Sequence, residues 1–330
     1  MISLILLIVF AILLFINLPI ALAIIFATLI AMLYSIDTLP ALTTIAQRLT
    51  VGIDSFALLA IPYFILSGYL MGQGGIAKRL VDFAKVLVGR LPGGLAYVNV
   101  ISCALFGSIS GSSVAATSAV GGFMIPAMEK EGYKRSFSAA VTVTAATTGM
   151  LIPPSNILII YSLASGGVSV AALFIAGYIP GILVALLLMV ACALYVRKHN
   201  VQPISKDAIG AFWPSFIGAI PSLFLIFIII GGIIGGMFTP TEAGVVAVLY
   251  SLILSVIIYR ELKISDIYPI LIKSVVTTAI VMLLIGASSA MSWLMTYESI
   301  PQDISRLLLT LSDNPLIVLL IINLILLFVG

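Results

Sequence analysis

The chain has 330 residues, 62% of them hydrophobic and only 8% charged, with a net charge of +3. A soluble globule would carry roughly a quarter charged residues, so that class is excluded. No Gly-x-x-x-x-Gly-Lys-Ser/Thr occurs, which excludes nucleotide hydrolysis by a P-loop, and so small a net charge gives no reason to expect a nucleic acid partner.

Apolar runs recur along the chain at the length a bilayer demands, about 20 residues for a spanning helix. The expected class is an all-α polytopic membrane protein. Segments 2–16 and 19–34 meet at Asn17-Leu18-Pro19, where proline opens the second helix. A polar stretch with Asp37, Gln47, Arg48 and Asp54 follows, then a helix over 56–71. Residues 74–93 carry Lys78, Arg79, Lys85 and Arg90. Residues 98–125 are apolar but interrupted by a serine and glycine run, which predicts a hairpin that enters the membrane and turns back. Residues 137–165 predict a helix broken at Pro153-Pro154, and 171–196 a clean span. A polar linker over 197–211 divides the chain, with further spans at 212–237, 241–259 and 275–297. After these come a polar loop to Asp313 and a last apolar run ending at Gly330. Cys103 and Cys192 lie in apolar runs and are expected to be buried free thiols without a disulfide framework. No Lys or Arg precedes the first apolar run, so a cleaved signal peptide is not expected.

If the N-terminus is outside and the spans alternate, the stretches 78–90, 130–135, 197–206 and 260–273 share one side. They hold 13 of the 15 Lys and Arg, with only Arg48 and Arg306 opposite, which places those four loops in the cytoplasm. The halves also echo each other. Asn17-Leu18-Pro19-Ile20-Ala21 matches Thr239-Pro240-Thr241-Glu242-Ala243 in opening a helix, and Pro92 before the hairpin matches Pro315 before the final run. Opposite orientations of the two sets make this an inverted repeat, 1–196 and 212–330. By that register Gly107 corresponds to Gly330, so the second half is expected to stop where its own polar tip should begin.

Two runs carry the chemistry. Gly107-Ser108-Ile109-Ser110-Gly111-Ser112-Ser113 satisfies Gly-x-x-x-Gly, a close-packing signal, but packing does not explain four serines in six residues. Hydroxyls and loose carbonyls there could replace the hydration shell of a small cation, and helix N-termini at the tip would attract a carboxylate. Gly149-Met150-Leu151-Ile152-Pro153-Pro154-Ser155-Asn156 holds two adjacent prolines, one more than a kink requires. They remove two backbone donors and push Ile152 out of the α region, which predicts an unwound segment whose Gly149, Ile152 and Pro154 carbonyls are free. Irregular backbone at membrane depth survives only inside protein or along a water-filled cavity. Glu242 sits in a first helical turn and is read as a cap; His199 is read as solvated. Ser108-Ile109-Ser110-Gly111 also resembles a serine nucleophile site, but no His or Lys lies at membrane depth to act as its base, so an intramembrane protease is disfavoured. An anion channel stays open on composition alone.

The chain resembles the large membrane subunit of tripartite ATP-independent periplasmic (TRAP) transporters. The motifs, in order, are Leu59-Ala60-Ile61-Pro62-Tyr63-Phe64-Ile65-Leu66-Ser67-Gly68, Gly74-Gly75-Ile76-Ala77-Lys78-Arg79-Leu80, Leu91-Pro92-Gly93-Gly94-Leu95-Ala96, Ser110-Gly111-Ser112, Ile125-Pro126-Ala127-Met128, Ile152-Pro153-Pro154-Ser155 and Phe238-Thr239-Pro240-Thr241-Glu242-Ala243. The resemblance implies an elevator-type secondary transporter of the bacterial inner membrane. It would import an organic acid anion such as a dicarboxylate or sialic acid with sodium, and work with a small membrane subunit and a periplasmic substrate-binding protein. It implies scaffold helices over 1–54, and transport-domain helices with the re-entrant hairpin over 55–165. It implies sodium at Ser110, Gly149, Ile152 and Pro154, with Ser108, Ser112, Ser113, Ser155 and Asn156 facing sodium or the substrate. Met150 departs from the family, which usually has proline there, and family members continue through a second hairpin beyond Gly330.

Overall fold

The computed structural model describes residues 2–199, 201, 209–311 and 314–329. Those residues form helices and their connections, with no strand among them. Two compact units are present, one of residues 1–55 and 279–330 and the other of 56–278, so each draws on both sequence halves. The linker 197–211 lies largely outside the described residues, as does Gly330.

In the first unit α1 (Ile2–Phe15) and α2 (Ile20–Ser35) pack against each other. They are separated by Asn17 in the left-handed region (φ 65°), which a short polar side chain tolerates, and by Pro19, whose missing N–H costs nothing at a helix start. Leu6, Ala27, Ala31, Met32, Ala41, Ile45 and Leu294 form the core. The polar stretch expected after α2 is in fact a helix, α3 (Thr38–Val51). Ala41 and Ile45, one turn apart, are buried on one face, and the polar residues occupy the others, so composition hid the periodicity.

The second unit begins with a 3₁₀ turn, Phe56–Leu59, that leads into α4 (Ala60–Gln73). Next come α5 (Ile76–Val88), α6 (Gly94–Ser110), α7 (Ser113–Lys130), α8 (Arg135–Ala146), the single turn α9 (Thr148–Leu151) and α10 (Asn156–Ala164). Then follow α11 (Val170–His199), α12 (Phe212–Ile234) and α13 (Pro240–Leu252), which continues into a π-helical stretch, Ile253–Ile258. The long α14 (Ile264–Tyr297) passes from this unit into the first, where α15 (Ile300–Leu311) and α16 (Pro315–Val329) close the chain. By length and composition, five helical segments among the described residues can cross a membrane, and a sixth if 135–164 counts as one bent span. The basic stretches are loops only in part: α5 covers most of 78–90, α14 begins at Ile264, and the polar loop expected before Asp313 contains α15.

The packing that positions the second unit's centre is made by small residues and a few satisfied polar groups. Asn99 of α6 donates to Thr142 Oγ1 of α8 at 2.7 Å, and Thr142 donates to Ser138 O at 2.8 Å, all three residues buried. Such a network holds α6 to α8 because every member would cost more unpaired. Arg79 of α5 bonds Glu261 at 2.8 Å and lies 3.7 Å from the Tyr259 ring centroid, fastening α5 to the end of the π-helical stretch. Cys103 and Cys192 are buried free thiols, as expected. His199 stacks on Tyr195, with Nδ1 3.0 Å from the Tyr195 carbonyl.

Glu242 caps α13 as the sequence predicts. Its Oε2 accepts from Thr239 N–H at 2.8 Å while Glu242 N–H donates to Thr239 Oγ1 at 3.3 Å, a reciprocal capping box. Glu242→Ala removes one half of the capping box and is expected to lower the thermal midpoint of the detergent-solubilised protein. Glu242→Gln keeps an acceptor but loses the charge that the helix N-terminus favours, and is expected to melt between Glu242→Ala and wild type.

Candidate functional site: two facing helix breaks

The first break closes α6. Gly111 takes the left-handed conformation (φ 62°) and its N–H donates to Gly107 O at 2.8 Å, the terminus that glycine makes possible. Ser112 is extended and its Oγ accepts from Ala115 N–H at 3.3 Å, which starts α7 at once. With α6 and α7 packed together across this short turn, the pair forms a helical hairpin.

The second break lies between α9 and α10, whose flanking segments bend by 52°. In an uninterrupted helix the carbonyls of Gly149 and Met150 would accept from residues 153 and 154, which are prolines without N–H groups. Ile152 is extended (φ −79°, ψ 121°), as a residue before proline must be. The Pro153–Pro154 bond is cis. Met150 O regains a donor from Ser155 Oγ at 2.5 Å. Asn156 N–H, which would serve Ile152 O, donates instead to Gly111 O at 3.4 Å. The carbonyls of Gly149, Ile152 and Pro154 accept no hydrogen bond among the described residues, and neither do those of Leu151 and Pro153.

The two breaks meet face to face. A side-chain carbon added at Gly107 would strike the Cα of Gly149, and one at Gly149 the Cα of Gly107, so α6 and α9 touch backbone to backbone. At Gly111 such a carbon would lie 2.9 Å from Pro154 O and 3.3 Å from Asn156 N. Three further glycines bring in the walls. Gly68 of α4 admits Ser110, whose Cβ would be 3.1 Å away, while Gly177 and Gly181 of α11 let the helix lie on Leu151 O and on Ile152. These contacts are absent from motif reasoning because they join residues distant in sequence; the Gly-x-x-x-Gly spacing of Gly177 and Gly181 was the signal that would have found α11.

The predicted site residues fall as follows. Ser110 is fully buried, with Oγ 3.3 Å from Ser112 O and 3.4 Å from Ser112 N. Ser108 is buried and donates to Leu105 O at 2.8 Å, Ser112 caps α7, and Ser113 is that helix's first residue. Ser155 is fully buried on Met150 O. Asn156 is 9% exposed and its Oδ1 is buried without a hydrogen-bond partner. The junction therefore gathers five carbonyls, those of Gly149, Leu151, Ile152, Pro153 and Pro154, that accept no hydrogen bond among the described residues, with a bare amide oxygen at Asn156 and the buried hydroxyl of Ser110. Unsatisfied acceptors of this kind are costly in a membrane interior unless something positive meets them. Both α7 and α10 begin here, so their N-terminal ends add a field that favours an anion next to a bound cation.

Helices long and apolar enough to cross a membrane, together with a helical hairpin and a broken helix, define a polytopic membrane protein. The chain belongs to the family described as the tripartite ATP-independent periplasmic transporter, DctM component, which matches residues 7–330. It is 54% identical over 321 residues to the uncharacterized protein YgiK of Salmonella typhimurium, covering 97% of this chain and 74% of that protein. It is 39% identical over 318 residues to the sialic acid TRAP transporter large permease protein SiaM of Vibrio cholerae, covering 96% and 74%. It is 35% identical over 316 residues to the C4-dicarboxylate TRAP transporter large permease protein DctM of Rhodobacter capsulatus, covering 92% and 72%. The chain is accordingly a multi-pass membrane subunit of an ATP-independent transporter.

Gly107→Ala places a methyl group against backbone with no flexible neighbour to yield, and is expected to cost about 1–3 kcal/mol or prevent assembly. Gly122→Ala, where nothing lies within 4 Å, is expected to be neutral. Thermal unfolding of the two variants in detergent checks the contrast.

Proposed function

We propose that this protein is the large permease subunit of a sodium-coupled importer of an organic acid anion, acting with a small membrane subunit and a periplasmic binding protein. The observation that carries the reading is the set of oxygens without hydrogen-bond donors at Gly149, Ile152, Pro154 and Asn156, set where two helix N-termini begin. Sodium is the cation proposed for those carbonyls and Ser110 Oγ, with the anion beside it along Ser108, Ser112, Ser113 and Asn156. Coupling follows from charge. The carboxylate is tolerated at the helix ends once the cation is in place, and the cation is held more firmly once the carboxylate has arrived.

The printed names of relatives, sialic acid for one and C4-dicarboxylate for another, support a carboxylate substrate. The distribution of Lys and Arg supports a periplasmic N-terminus in the bacterial inner membrane. The echo between the two sequence halves, read as an inverted repeat, supports an elevator motion in which the hairpin and broken helix move as a body. The alternatives fare worse. Ser110 Oγ has its partners on the Ser112 backbone, and the single His199 is held at the end of α11 by Tyr195, so no base serves a protease.

The test is uptake of labelled acids into proteoliposomes holding the complex, with and without an inward sodium gradient. Accumulation above equilibrium only with the gradient and the binding protein is expected. Ser110→Ala is expected to weaken the sodium dependence more than the anion dependence. Uptake indifferent to sodium would overturn the coupling, and dissipative flux that never accumulates would make the protein a channel.

A further inference from the structure

The six carbonyls of residues 149–154 all lack a helical N–H donor, and one of them alone is met by a side chain. Two carbonyls lose their donors to Pro153 and Pro154, yet only one of the two, that of Gly149, stays bare. The other, that of Met150, is taken by Ser155 Oγ at 2.5 Å. Ser155 is fully buried, extended at φ −129° and ψ 127°, and sits at the N-cap position of α10 without capping it. Its hydroxyl proton is turned back into the break and away from the helix it precedes. A serine at an N-cap ordinarily accepts from the first turn, so this orientation spends the side chain on a different partner.

We infer that Ser155 is a positioning residue of the cation site, its hydroxyl replacing the N–H that Pro154 lacks so that Met150 O is withdrawn and Gly149, Ile152 and Pro154 keep their carbonyls free for the ion. The inference rests on the sodium-coupled reading and deepens it: Ser155 acts on the ion through Met150, not by contact with the anion. Without the hydroxyl, Met150 O is a buried acceptor with no donor, and the break relaxes by turning carbonyls toward whatever positive group is at hand. The geometry that the three carbonyls hold for the ion is then lost, while the anion's surroundings on α7 and at the start of α10 are untouched. Threonine keeps the hydroxyl and suits the extended backbone, since β-branched residues favour that region.

The experiment compares wild type, Ser155→Ala, Ser155→Cys and Ser155→Thr in the reconstituted complex. Sodium is titrated at saturating anion, and anion at saturating sodium. Melting of each detergent-solubilised variant is followed against sodium concentration in parallel. Ser155→Ala is expected to raise the half-saturating sodium concentration about five- to tenfold, the loss of one buried hydrogen bond, without moving the anion curve. Ser155→Cys, a weak donor of similar size, is expected to fall between Ala and wild type, and Ser155→Thr to restore the sodium curve. An altered maximal rate with unmoved sodium curves in Ala and Cys, or a shift of the anion curve alone, overturns the inference. If Ser155→Ala does not fold, a wild-type sodium curve in Ser155→Cys overturns it in the same way. Absence of sodium dependence in the wild type sinks the sodium-coupled reading itself, a result distinct from either.

Discussion

A backbone carbonyl at membrane depth has to find its donor inside the protein, and the structure at residues 149–156 follows from how that demand is met and left unmet. Two adjacent prolines withdraw two donors, a third N–H is diverted to the hairpin, and one hydroxyl is spent to repair one of the losses. What remains is a cluster of acceptors that a spanning helix would never expose. The same demand explains why the hairpin tip is polar: Gly111, Ser110 and Ser112 satisfy a helix end and a helix start within a few residues.

Bringing those breaks together requires that nothing intervene. Gly107 and Gly149 allow α6 and α9 to touch at the backbone, Gly68 admits Ser110, and Gly177 with Gly181 lets α11 cover Leu151 and Ile152 from the other side. In a bilayer, where apolar side chains gain little by leaving lipid for protein, such close approaches are a main source of helix association. The glycines thus set both the packing and the meeting of the two breaks.

Much of this was legible in the sequence because proline and glycine act locally. Pro153-Pro154 announced the break and its free carbonyls, Gly111 and the serines announced the hairpin tip, and Glu242 announced a cap, though not its reciprocal partner Thr239. The amphipathic helices α3 and α15 were read as polar connections because their apolar stripes are narrow and their compositions mixed. Contacts between distant residues carry no local signature, so the meeting of Gly107 with Gly149 was out of reach. The same holds for the choice of Ser155 to serve Met150, which depends on a side-chain direction that motif spacing does not encode.

The central claim is that the oxygens left bare between the two breaks hold a sodium ion. The most direct measurement is a high-resolution density map of the complex in sodium, compared with one in a large organic cation. The account predicts a compact peak in the sodium map alone, in contact with the carbonyls of Gly149, Ile152 and Pro154 and with Ser110 Oγ. A junction that looks the same in both maps, its carbonyls met by ordered water, would contradict it.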